Sequence, residues 1–252
     1  FGEAVQTGAA AGAIGRPYVE YFSDPFIIGL EDDNANLMFK ILQDLEQGGL
    51  QQEYYMFNTG GIGAESNEQA TGTNYKKIPR ELTLMLQEAL LRGAIKFEAD
   101  PLLGADVAVA IVNNNGEEVQ NLRNDWLPRE VYGQEGYRTR LSQLRQKRYY
   151  GESQEDKSGI LRYSKTSNSL FDHDDIPTPK SERELSWLFS FFLNLDQACN
   201  TLEETVQAIN QKANVAPDLV RFFQNKLEEA IAQGLELPEN SKSSLKALGL
   251  TI

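Results

Sequence analysis

Cysteine and histidine each occur once in these 252 residues, as Cys199 and His173. A lone cysteine excludes an internal disulfide and fits a reducing compartment, so the chain is expected to be cytoplasmic. With Leu195 and Ala198 as neighbours, Cys199 reads as a buried thiol on a helix face rather than a nucleophile. Long apolar runs are missing too. The most apolar segment, Trp187 to Leu195, is interrupted by Ser190 and Asn194 and falls far short of the ~18 residues of a membrane span. No secretory leader is legible. Positive charge is in deficit: the net charge of -13 and pI of about 4.6 oppose binding to nucleic acid phosphates or anionic membranes.

What is present suffices for a real hydrophobic core in one large or two small domains. The chain opens Phe1-Gly-Glu without an initiator Met, and Gln6 to Gly15 has the small-residue composition of a packed domain interior. It is therefore expected to be a C-terminal part of a longer protein. Gly8 to Gly15 is superficially like a dinucleotide-binding turn, but no β-branched strand precedes it and Pro17 follows, which favours a close-packed segment.

Phe22 to Leu30 is apolar and expected to be half buried, and Glu31-Asp-Asp-Asn34 reads as a solvated turn. Ala35 to Leu45 has helical spacing and stops at Gly48-Gly49. Glu53 to Phe57, short and aromatic, reads as a buried strand, and Asn58-Thr-Gly-Gly61 turns the chain. After a polar loop from Ala64 to Asn74, Pro79 opens a helix whose stripe is Leu82, Met85, Leu86, Ala89 and Leu90, closed by Gly93. Lys76, Lys77 and Arg80 crowd the mouth of that helix against the dipole preference, an arrangement that an anion between them would relieve.

Ile95 to Glu98 and Val107 to Val112 read as strands, with a turn at Asp100 to Gly104 and a hairpin or loop at Asn113 to Gly116. Leu122 to Trp126 suits a capped turn before a helix near Pro128. Tyr137 to Tyr150 is helical and basic, and the acidity of the whole favours a solvated surface over nucleic acid binding. Gly151 to Pro179 has linker composition. Its Asp172-His-Asp-Asp175 run superficially suggests a metal site, but adjacent loop residues rarely converge on one ion, so no metal ligands are assigned. Beyond it, capping boxes at Ser181 to Glu184 and Thr201 to Glu204 open helices over Leu185 to Cys199 and Val206 to Ala213. Pro217 opens a third, closed by Gly234, and Ser241 to Leu248 a short fourth.

Four stretches, in order, resemble the C-terminal nucleotide-binding domain of the ATP-type phosphoenolpyruvate carboxykinases: Phe57-Asn-Thr-Gly60 with Gly63, Lys76-Lys-Ile78 with Thr83, Phe97-Glu-Ala-Asp-Pro101 with Gly104, and Asn121-Leu-Arg-Asn-Asp-Trp126. The resemblance implies a mixed-sheet α/β domain over 1–150, incomplete at its N-terminus. A linker over 151–180 and an all-helical tail over 181–252, a bundle or cap, follow it. It implies that Lys77, Ile78 and Thr83 line the adenine and ribose end of ATP. The family commonly has Arg where Lys77 stands, and Pro where Leu122 stands.

In that family the phosphate loop, the metal-binding Asp pair and the arginine that grips the organic acid lie upstream, and no Gly-x-x-x-x-Gly-Lys-Ser/Thr occurs in this chain. Ligands for Mg2+ or Mn2+ are thus expected upstream. No catalytic residue is assigned, and this part alone is expected to be inactive. The tail suggests a longer, divergent carboxykinase-like family, a phosphotransferase or lyase taking a nucleotide and a small organic acid. Two alternatives stand beside it: a non-catalytic interaction or scaffold protein on that fold, with the helical tail as partner surface, and a kinase of another small molecule or protein.

Overall fold

The computed structural model describes residues 4–7, 18–21, 31–66, 71–151, 159–162, 173–209 and 215–252. The expectations for Gly8 to Gly15, for Phe22 to Leu30, for Asp172 and for the end of the Val206 to Ala213 helix lie outside those residues. The described part is mixed α/β and falls into two compact units, one formed by 8–18 and 53–144, the other by 1–7, 19–52 and 145–252. None of its helices is long and apolar enough to cross a membrane.

In the second of these units, β1 (Ala4–Thr7) and β2 (Tyr18–Tyr21) form a two-stranded sheet. Helix α1 spans Glu31–Gln47, four residues earlier than the apolar spacing suggests. The acidic stretch expected as a turn is its first turn, where carboxylates favour the positive end of the helix dipole. Ala35 is buried and Met38, Phe39, Leu42 and Leu45 are half buried, while Leu37 and Ile41 are exposed.

The first unit is built on short antiparallel ladders. Strand β3 (Gly61–Ile62) pairs with β4 (Lys76–Lys77), Gly61 opposite Lys77. Helix α2 (Arg80–Leu91) follows, and β5 (Ile95–Asp100), β6 (Ala105–Val112) and β7 (Glu118–Asn121) make a three-stranded sheet in that order. Connections of a few residues between β5, β6 and β7 allow only antiparallel pairing, since a parallel pair needs a long crossover. Val109, Ala110 and Ile111 of β6 are its buried centre.

Local chemistry sets the bends. Buried Asp100 accepts from Leu102 N at 3.0 Å and Leu103 N at 3.1 Å, which closes the β5–β6 turn. Asn113 Oδ1 accepts from Asn115 N and Glu117 N at 2.9 and 3.0 Å, which turns β6 into β7, a strand the sequence reading missed. Asn121 Oδ1 accepts from Arg123 N at 2.9 Å, a side-chain turn that leads into α3 (Arg123–Trp126). Helix α4 (Pro128–Val131) follows, and α5 (Gly133–Tyr150) leads out of this unit.

In contrast to the expected buried strand, Glu53 to Phe57 forms no ladder. Apart from half-buried Phe57, its side chains face solvent: Tyr54 is 66% and Met56 94% exposed. An aromatic run becomes a buried strand only where a partner strand and a covering layer meet it, and neither does so among the described residues.

The described residues from 145 onward pack around α6 (Glu182–Phe192), in which every side chain from Glu184 to Phe192 is buried. Leu188 and Phe189 touch no solvent, and Phe189 lies 4.1 Å, ring to ring, from Phe223 of α8 (Pro217–Ala232). Helices α7 (Leu202–Ile209) and α9 (Glu239–Ala247) complete the packing with fully buried Leu202 and Leu245. The linker-like stretch contributes to this core, since Leu161 and Ile176 are buried in it and Tyr150 donates to Pro177 O at 2.7 Å.

Both capping signals are used. Ser181 and Thr201 hydroxyls accept from Glu184 N and Glu204 N, each at 3.2 Å, and the two glutamates accept in return from Lys180 N at 2.6 Å and Asn200 N at 2.8 Å. Helix α6 stops seven residues before the expected Cys199. Asn194 adopts φ 50°, with Asn194 N donating to Phe191 O and Leu195 N to Ser190 O at 3.1 Å each, the bond pair of a left-handed helix stop. Cys199 is buried, but in the following loop, where its N–H reaches Ser190 Oγ at 3.0 Å. The Ser186 hydroxyl is fully enclosed by Cys199 O, Thr201 O and Thr205 Oγ1 at 2.8, 2.8 and 2.6 Å, a satisfied polar knot.

Candidate functional site

The site grows from the β3–β4 ladder. Asn58 Oδ1 accepts from Gly60 N at 2.9 Å and its amide donates to Gly61 O at 3.2 Å, folding Asn58-Thr-Gly60 into a side-chain-closed turn. Gly60 O then accepts from Ile78 N at 3.0 Å, which lays the turn beside the entry to α2. The two glycines that follow serve chain packing rather than a ligand. A Cβ on Gly61 would lie 2.5 Å from the Tyr75 ring, and one on Gly63, at φ +84°, only 2.1 Å from Asn74 O.

The result is an open cleft of about 530 Å³ between the Asn-Thr-Gly turn and the first two turns of α2. Lys77, Ile78 and Thr83, assigned above through the resemblance, all line it. Thr59 stands on one side. Arg80, Leu84 and Gln87, which together with Thr83 recur at helical spacing along one face of α2, form the other. Leu84 and Gln87 escaped the sequence reading because a helix pattern is searched for its buried stripe, and these belong to the solvent face.

The three cations at the helix mouth divide. Adjacent strand residues point to opposite sides. Lys76 therefore turns away to Asp125, at 2.5 Å, while Lys77 faces the cleft with Arg80. Neither Lys77 nor Arg80 has a side-chain partner among the described residues. Pro79 stands at the N-cap position without any side-chain cap, so the first N–H groups of α2 are also left open. Thr83 Oγ1 lies 3.5 Å from Pro79 O, a contact too long to occupy the hydroxyl firmly. Two cations, open amides, a hydroxyl, an amide side chain and apolar Ile78 and Leu84 together suit an anionic ligand with a flat or apolar part.

The other two resembling stretches support the fold beside the cleft instead of lining it. Glu98 accepts from Arg123 at 2.7 Å and Arg129 at 3.0 Å, and Arg123 also holds Glu118, itself paired with Lys96 at 3.2 Å. The hydrogen bond from Arg123 holds the Glu98 carboxyl below its ordinary pKa, and that from Lys96 does the same for Glu118. The network ties β5 and β7 to α3 and α4.

Elsewhere the cationic side chains of α5 are engaged, Arg140 with Glu65 O at 2.7 Å and with the Tyr132 ring face at 4.4 Å. The His173 ring stacks on Phe222, centroids 4.3 Å apart. Among the described residues no group of three or more His, Cys, Asp or Glu is arranged to hold a metal ion. No family model, no curated protein and no solved structure matches the chain.

Proposed function

We propose that the chain binds ATP in the cleft between the Asn58-Thr-Gly60 turn and α2, as the C-terminal part of a carboxykinase-like phosphotransferase or lyase. One observation carries the reading. Lys77, Ile78 and Thr83, the residues that the resemblance names, line one cleft together with Thr59 of the preceding turn, and its two lining cations have no side-chain partner among the described residues. The base and ribose would lie against Ile78 and Thr83; the resemblance implies Lys77 at that end as well, but as it faces the cleft with Arg80 we assign both cations to the phosphate end instead. The lining holds no carboxylate and no imidazole, so it offers no charged ligand to the Mg2+ or Mn2+ that accompanies ATP.

Titration calorimetry of the full chain with ATP and Mg2+ tests the proposal. Binding is expected, and Lys77→Ala is expected to weaken it roughly tenfold to a hundredfold, the worth of about 1.5–3 kcal/mol for a charge-assisted hydrogen bond. No heat from ATP, together with no effect of Lys77→Ala, would sink it. A second reading, a non-catalytic interaction protein on this fold, is favoured by the exposure of Tyr54, Tyr55 and Met56, and unchanged ATP-independent partner capture by Lys77→Ala would support it.

A further inference from the structure

The ladder that carries Lys77 is only two residues long on each strand, Gly61–Ile62 against Lys76–Lys77. An isolated two-stranded ribbon is marginally stable at best, so this wall of the cleft needs support from outside the ladder. The support comes from the segment running from α3 into α5. Lys76 pairs with Asp125, but both side chains are about half exposed, and a surface pair of this kind contributes little. The stronger tie is at Gly63, which is buried and whose N–H donates to Tyr132 Oη at 2.8 Å across 69 positions of sequence. Tyr132 is itself held. It stands at the end of α4, and the Arg140 guanidinium of α5 lies 4.4 Å from the centre of its ring while donating to Glu65 O at 2.7 Å. Hydroxyl and guanidinium thus grip one limb of the loop at Gly63 and at Glu65.

We infer that Tyr132 is a positioning residue of the cleft, one that acts on the ligand through Lys77 without touching it. This rests on the nucleotide reading above and adds to it the residue that sets the phosphate end. Tyr132 does not line the cleft. The path from its hydroxyl to Lys77 runs through backbone alone. Gly63 packs so closely on residue 74 that a Cβ would lie 2.1 Å from Asn74 O, and Gly61 faces Lys77 across the ladder. A shift at Gly63 therefore moves the strand that bears Lys77. Removing the Tyr132 hydroxyl deprives a buried N–H of its acceptor, which favours arrangements in which that N–H reaches water and the limb leaves its place. Apparent affinity scales with the fraction of molecules whose binding wall is in place, so such arrangements lower it by the same factor.

The test is a double-mutant cycle, read by titration of the full chain with ATP and Mg2+, on the wild type, Tyr132→Phe, Lys77→Ala and the two combined. Tyr132→Phe keeps the ring beneath Arg140 and removes only the acceptor. It should weaken ATP binding about tenfold, which corresponds to a competent fraction of about one tenth. In the Lys77→Ala background the same change should cost less than about twofold, because the group through which it acts is gone. A general loosening of the unit would instead weaken binding by one factor in both backgrounds. Equal losses in the two backgrounds therefore overturn the positioning role, as does ATP binding by Tyr132→Phe within about twofold of the wild type. Either result leaves nucleotide binding by the wild type intact. A wild type that binds no ATP overturns the nucleotide reading and this inference with it.

Discussion

Replacing Gly63 by alanine probes whether the ladder that builds the cleft is as tightly closed as its contacts imply. Gly63 has φ +84°, and an added Cβ would sit 2.1 Å from Asn74 O and 2.9 Å from its carbonyl carbon. Both atoms are backbone, so no side-chain rotation relieves the overlap. Segment 74–75 must move, and with it the Tyr75 ring over Gly61 and the strand bearing Lys77. Gly93, just beyond α2 in the same unit, is the matched control: its φ is +64°, but nothing lies within 4 Å of a Cβ there.

An L-residue in the left-handed region costs about 1–2 kcal/mol, which both variants incur. Overpacking adds about 1–3 kcal/mol at Gly63 alone. The expected totals are therefore about 1–2 kcal/mol for Gly93→Ala and about 2–5 kcal/mol for Gly63→Ala. The protein has two tryptophans, Trp126 in this unit and Trp187 in the other, so urea unfolding followed by Trp126 fluorescence in a Trp187→Phe background reads this unit. Gly63→Ala should also abolish ATP binding, and Gly93→Ala should not. Equal costs, within ~0.5 kcal/mol, would refute the claim that the 63–75 closure is tight.

Two further perturbations address what holds each unit. Tyr150→Phe keeps the shape of a fully buried ring but strips Pro177 O of its donor, and should cost about 1–3 kcal/mol in urea unfolding followed by Trp187 fluorescence; a cost under ~0.5 kcal/mol would refute the bond's importance. Burial pushes the Tyr150 phenol well above its ordinary pKa, helped by the nearby Glu184 charge, which favours the protonated form that donates this bond. For Glu98 and Glu118 the folded pKa lies below the ordinary value of 4.5, so their contribution is complete above that pH and drains away as pH falls through the lowered folded values. Urea midpoints should accordingly drop below about pH 4.5, and Arg123→Ala, which removes the shared partner of both carboxylates, should flatten that acid slope. An unchanged slope would show that the network does not hold them.

Sequence alone determined the local grammar of this chain. The starts at Pro79, Ser181, Thr201 and Pro217, the stops at Gly93 and Gly234, the β5–β6 turn and the turn at Asn58 were all legible, because each is written within about five residues and satisfied by bonds among them. The meeting of Lys77, Ile78 and Thr83 was expected only through resemblance to other chains. Tertiary structure decided the rest. It left Glu53 to Phe57 uncovered, ended α6 before Cys199, and drew Leu161 and Ile176 out of a polar stretch into a core. It also sent Lys76 to Asp125, while Lys77 and Arg80 line the cleft without a side-chain partner among the described residues, and it put Gln87 in the same cleft. Whether a side chain is buried, paired or available depends on segments far away in the chain, and no local pattern carries that information.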